Sequence, residues 1–77
     1  MTEKPQKELD LRGLKCPLPV LRTRKALALS APGDLLIVFC TDPLARIDIP
    51  HLLNETGDTL EGTRDDARVV TFRIRKR

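Results

Sequence analysis

Residues 9–27 read LDLRGLKCPLPVLRTRKAL. Leu9 and Leu11 alternate with Asp10 and Arg12, which puts the leucines on one face of a short half-buried strand begun by Glu8. Gly13 supplies a turn. From Pro17 the period changes. Val20, Thr23 and Leu27 fall on one stripe, with Leu21, Ala28 and Ala31 beside it, which is helical spacing. Pro17 suits the first helical position, where its missing N–H is no loss, and Pro19 is still inside the first turn. Arg24 lies near the apolar stripe, so its stem packs while its head reaches water. Ala31-Pro32-Gly33-Asp34 ends the helix, with Gly33 suited to a left-handed cap.

Working outward, Leu35–Cys40 (LLIVFC) is a continuous apolar run and reads as the central strand. Thr41-Asp42-Pro43 follows as a loop. The next helix is expected from Asp48, which can cap it, with Ile49 and Pro50 in its first turn. Ile49, Leu52, Leu53 and Thr56 then recur at helical spacing, and Gly57 stops the element. A start at Asp42-Pro43 is the alternative, but Pro50 would then sit in the interior and kink the helix. Thr59–Arg64 reads as a weak strand, 65–67 as a turn, and the rest as a strong strand. In the latter, Val70, Phe72 and Ile74 share one face, and Thr71, Arg73 and Arg75 the other. The order βαβαββ predicts an α+β fold: a two-layer sandwich with a four-stranded mixed sheet and both helices on one face. Residues 1–7 are polar, contain Pro5 and show no periodicity, so a loose tail precedes a single domain over 8–77.

The totals agree with one small domain. The chain has 77 residues, 40% of them hydrophobic and 32% charged, which permits a modest core under a charged surface and excludes global disorder. Net charge is +3. This is compatible with a solvated surface or with attraction to an acidic partner or nucleic acid. No apolar run approaches the ~18 residues of a membrane span, and the first residues lack a signal-peptide core. The two cysteines, Cys16 and Cys40, are too few for the staples of a secreted domain of this size. A reducing cytoplasm with both thiols free is the expectation. Together with the single histidine they offer no metal-ligand spacing, and no cofactor motif is present.

If Pro17 opens the helix, Cys16 is its N-cap. The first N–H groups of a helix have no partner inside it and carry the positive pole of the macrodipole, equivalent to roughly half a charge. Lys15, Arg22, Arg24 and Lys25 add positive potential. A thiolate is expected there, titrating below the ordinary ~8.5 of a free thiol. Ser, Thr, Asp and Asn cap helices better than Cys, so the thiol points to chemistry as much as to capping. With only one cysteine ahead of the helix, the Cys-X-X-Cys dithiol of thioredoxins is excluded.

This stretch resembles the N-terminal signature of the TusA/SirA family of small sulfur-carrier proteins. The family's Cys-Pro-X-Pro motif is here Cys16-Pro17-Leu18-Pro19, supported by Gly13 and Lys15. Asp42-Pro43 and Asp48-Ile49-Pro50 match its second landmark, and the basic alternating C-terminal strand also fits. The resemblance spans residues 8–77. It implies a fold like the C-terminal domain of a bacterial translation initiation factor. It also implies that Cys16 accepts sulfane sulfur as a persulfide from a cysteine desulfurase or rhodanese and passes it to an acceptor protein. Acceptors in the family include DsrE-like proteins and relays for tRNA thiolation, molybdenum cofactor and sulfur oxidation. Many relatives carry a further cysteine just after Asp-Ile-Pro; Leu52 and Leu53 occupy that stretch here.

The family's central strand often has a polar residue at the position of Ile37. By that analogy Leu36, Val38 and Cys40 face the helices, which makes Cys40 a buried small hydrophobe rather than a resolving thiol for Cys16. Leu35, Ile37 and Phe39 would then form an apolar strip on the open sheet face, rimmed by Arg73 and Arg75. Such a strip suits docking of a partner or a second copy, unless the tail or the arginine stems pack over it. Arg22, Arg24 and Lys25 are further candidate docking residues. His51, on the second helix, reads as a surface residue. The competing class is a small regulatory or nucleic-acid-binding module using Arg73–Arg77 and the helix cations, but the aromatic platforms of single-strand binders are missing. A redox sensor would require Cys16 to cycle through a disulfide or sulfenate.

Overall fold

The computed structural model describes residues 6–77. The elements are β1 (Gln6–Leu11), α1 (Leu18–Ala28), β2 (Leu35–Cys40), α2 (Ala45–Thr56), β3 (Thr59–Asp66) and β4 (Val69–Arg75). The strands form one four-stranded sheet in the order β1-β2-β4-β3, with β1 parallel to β2 and the other pairs antiparallel. The expected α+β architecture is present. Gln6 and Lys7, expected in the tail over 1–7, belong instead to β1 and pair with Leu35 and Leu36. Residues 1–5 lie outside the described residues.

The core lies between the sheet and the helices. Leu36, Val38 and Cys40 of β2, Val70, Phe72 and Ile74 of β4, Leu27 of α1, and Ala45, Ile49 and Leu53 of α2 close it, together with Leu11. The strand alternation of 2 and the helix period of 3.6 thus deliver their apolar faces to one layer. Cys40 is fully buried, as a small hydrophobe.

Both helices depart from the expected bounds. On α1 the buried stripe is Pro19, Thr23 and Leu27, while Leu21 and Ala28 face solvent. Its C-cap is Leu29 in a right-handed conformation, not Gly33. Gly33 instead turns the chain into β2 at φ 88°, and its N–H donates to the Lys76 carbonyl at 2.9 Å. Helix α2 starts at Ala45, ahead of the expected Asp48, and Pro50 is inside it. Pro50 removes one early intrahelical bond, yet burial of Ala45, Ile49, Leu52 and Leu53 holds the turn in place. Gly57 ends α2 at φ 83°, where its N–H bonds the Leu53 carbonyl at 2.8 Å.

On the open sheet face the structure favours the covered alternative over the exposed docking strip. Leu35 and Ile37 are each only 8% exposed, and Phe39 is half-buried. Their neighbours in register account for this: Gln6 and Arg75 flank Leu35, and Glu8 and Arg73 flank Ile37. These long side chains stand beside the apolar row on the same sheet face, where aliphatic stems can cover it. Arg75 is fixed by Glu61 at 2.8 Å and by the Gly33 carbonyl at 3.0 Å. The exposed strip is reduced to part of Phe39.

One buried polar group stands out. The Thr23 hydroxyl is fully buried and has no hydrogen-bond partner among the described residues. An unpaired buried hydroxyl costs about 1–3 kcal/mol. Thr23→Val keeps the shape and removes the hydroxyl, so it is expected to stabilise the fold by about 1 kcal/mol. An unchanged or lower urea midpoint would refute this.

Candidate functional site

Leu11 and Cys40 are in register at the ends of the parallel strands β1 and β2. Both chains therefore leave the sheet at the same end, and loops 12–17 and 41–44 meet there. Gly13, at φ 88°, turns its N–H to the Thr41 hydroxyl at 2.8 Å. Asp42 ties the loops together with both carboxylate oxygens. One accepts from the Cys16 N–H at 2.6 Å and the other from the Leu44 N–H at 3.1 Å. The second landmark of the sequence is thus a clamp on the first.

Cys16 is exposed. It is not the N-cap of α1. Pro17 is the cap, and the Cys16–Pro17 peptide is cis. Pro17 and Pro19 have no N–H to offer, and the Leu18 N–H bonds the Lys15 carbonyl at 2.9 Å. Most of the donors expected to greet an anion at this helix end are therefore missing or engaged. The sulfur instead meets carboxylates: Cys16 Sγ donates to Asp48 Oδ2 at 3.3 Å. That hydrogen bond first, then loss of water and the charges of Asp48 and Asp42, push the Cys16 thiol above the ordinary range. This reverses the expected thiolate. A full charge in contact with the sulfur outweighs a helix pole of roughly half a charge with few free donors.

Two shallow concavities flank the sulfur. One is lined by Leu14, Thr41, Pro43 and Leu44, the other by Val20, Arg24, Asp48 and His51. Leu18, Leu44 and Ile47 are 41%, 50% and 67% exposed in these same loops and helix starts. Arg24 pairs with Glu55 across the helices at 3.1 Å, and exposed His51 is 3.5 Å from the same carboxylate. Lys15, Arg22 and Lys25 are exposed. Leu35, Ile37, Phe39, Arg73 and Arg75 lie on the sheet face away from the helices, so they are not brought together with Cys16. Among the described residues, no three His, Cys, Asp or Glu side chains are placed to hold a metal ion, and no helix is long and apolar enough to cross a membrane.

Sequence reasoning read Asp42 and Asp48 as landmarks and as candidate starts of the second helix, and assigned neither a place at the thiol. The signal was in the topology: loops that leave the carboxyl ends of neighbouring parallel strands converge.

A family model described as sulfurtransferase TusA matches residues 7–76. The chain belongs to the TusA family. Relatives within TusA include a sulfur carrier protein TusA from Pseudomonas putida, 40% identical, with 95% of this chain and 91% of the relative covered. Another, from Allochromatium vinosum, carries the same name and is 38% identical over 90% of this chain and 91% of its own. Among solved structures, the SirA-like protein from Desulfitobacterium hafniense superposes with a TM-score of 0.78 at 28% identity, covering 90% of this chain and 95% of that one. The TusA fold is thus the scaffold that carries Cys16, Asp42 and Asp48 in this chain.

Proposed function

We propose that this protein is a sulfur carrier that takes sulfane sulfur onto Cys16 as a persulfide and passes it to an acceptor protein. One observation carries the reading: the exposed thiol projects from a clamped loop among exposed apolar side chains, while the other cysteine is sealed in the core. A carrier needs one accessible nucleophile that a partner can reach, and a surface that dehydrates against that partner.

The loading step balances within the two proteins. Cys16 Sγ attacks the outer sulfur of the donor persulfide. A new S–S bond forms at Sγ and the donor's S–S bond breaks. The Sγ proton ends on the donor's departing thiolate, with no net oxidation. Unloading is the same exchange with the acceptor thiol. Donors of the cysteine desulfurase or rhodanese class can supply such a sulfur. The acceptor belongs to a protein relay such as tRNA thiolation, molybdenum-cofactor metabolism or sulfur oxidation. Direct nucleic-acid binding is less favoured, since the Arg75 guanidinium is engaged by Glu61 and the Lys76 ammonium lies 4.0 Å from Asp58.

Intact-mass analysis after incubation with a cysteine desulfurase and cysteine, or a rhodanese and thiosulfate, tests this. A gain of about 32 Da that maps to the Cys16 peptide is expected for persulfidation. No gain with either donor class, or a gain on Cys40, would overturn it.

A further inference from the structure

Asp48 has one observed side-chain partner at the thiol, the S–H of Cys16, and no cation pairs with it among the described residues. Asp42 beside it is committed to two backbone N–H groups. Of the other charged groups around the groove, Arg24 and His51 both turn to Glu55, and Lys15 is exposed in the thiol loop. Asp48 is therefore the charged side chain that hydrogen-bonds the reacting sulfur. We propose that Asp48 sets the reactivity of Cys16 according to load: it holds the empty sulfur as a quiet S–H donor and drives the sulfur cargo outward once that proton is gone.

The chemistry of the two states differs at one atom. In the empty protein Sγ carries a proton, and the S–H···carboxylate bond favours the neutral thiol. Only the thiolate is a strong nucleophile, so stray electrophiles and oxidants react slowly. After loading, Sγ is bonded to Cβ and to the outer sulfur and has no proton to donate. The hydrogen bond to Asp48 is lost. The ionisable proton now sits on the outer sulfur, and when it leaves, two like charges face each other. Asp48 then favours rotamers that point the cargo to solvent, where an acceptor can reach it. The proposal rests on the carrier reading for its loaded half; the empty half stands on the thiol alone.

The empty half is tested by alkylation. The intact protein is treated with iodoacetamide from about pH 6 to about pH 10, with Asp48→Asn, Asp48→Glu and, as a control for the imidazole, His51→Gln. Asp48→Asn is expected to react about tenfold faster near neutral pH, with its pH midpoint moved down, because a contacting like charge has been removed. Asp48→Glu, which keeps the charge, is expected to stay near the parent, as is His51→Gln. Buried Cys40 reports the fold in every sample, since it alkylates only when the core opens. If Asp48→Asn exposes Cys40, Asp48→Ser takes its place under the same expectation. Coincident profiles for the parent and the neutral variant, or a neutral variant slower than the parent, would overturn the assignment. Donor loading of the parent is measured alongside. A parent that never gains sulfur removes the carrier reading and leaves the alkylation result standing. A parent that loads while the profiles coincide removes the Asp48 role alone.

Discussion

Cys16→Ser is expected to take up no sulfur at all from a donor that loads the parent. The hydroxyl of serine cannot form the S–S bond, so the loss is total rather than partial. Cys40→Ser is the informative counterpart. Cys40 is fully buried, and burial first, with the charge of Asp42 second, pushes its thiol up to about 11. It is neither reachable nor ionised at neutral pH. Cys40→Ser should load as fast as the parent while losing about 1–3 kcal/mol of stability, the usual cost of an unpaired buried hydroxyl. Mass analysis and urea unfolding of the two variants check both halves. Residual uptake in Cys16→Ser would show that sulfur enters elsewhere.

Phe72→Ala is expected to cost about 3–5 kcal/mol. Phe72 is 1% exposed, stands opposite Val38 in the β2–β4 ladder, and belongs to the cluster that joins the sheet to both helices. A domain of this length has about 4–11 kcal/mol of stability in all. The variant should therefore unfold at a far lower urea concentration, and Cys40 should become reactive in the same transition. A midpoint shifted by less than half the expected free energy would mean that the site collapses around the missing ring.

Much of this was legible in the chain. The alternation Val70, Phe72, Ile74 and the apolar run of β2 set their faces correctly, because burial on one side of a strand enforces a period of two. The thiol ahead of α1 was also legible, since the change of period after Gly13 marks the turn. The start of α2 was not. Pro50 argued against a helix through it, but the tertiary burial of Ala45 and Ile49 outweighs one missing backbone bond. The charge environment of Cys16 was hidden for a different reason. Asp48 is 32 residues away along the chain, and its approach depends on the parallel pairing of β1 and β2. The covering of Leu35 and Ile37 was legible only as one of two alternatives, because it depends on which long side chains stand beside them in register.

The openness of the Cys16 loop has a consequence for any cargo. Among the described residues none closes over the exposed sulfur, so its survival is decided from outside, by whichever small thiol or cyanide-like scavenger collides first. Persulfide lifetime should then track the concentration of such scavengers in the medium, and delivery is a race that only a prompt handover wins.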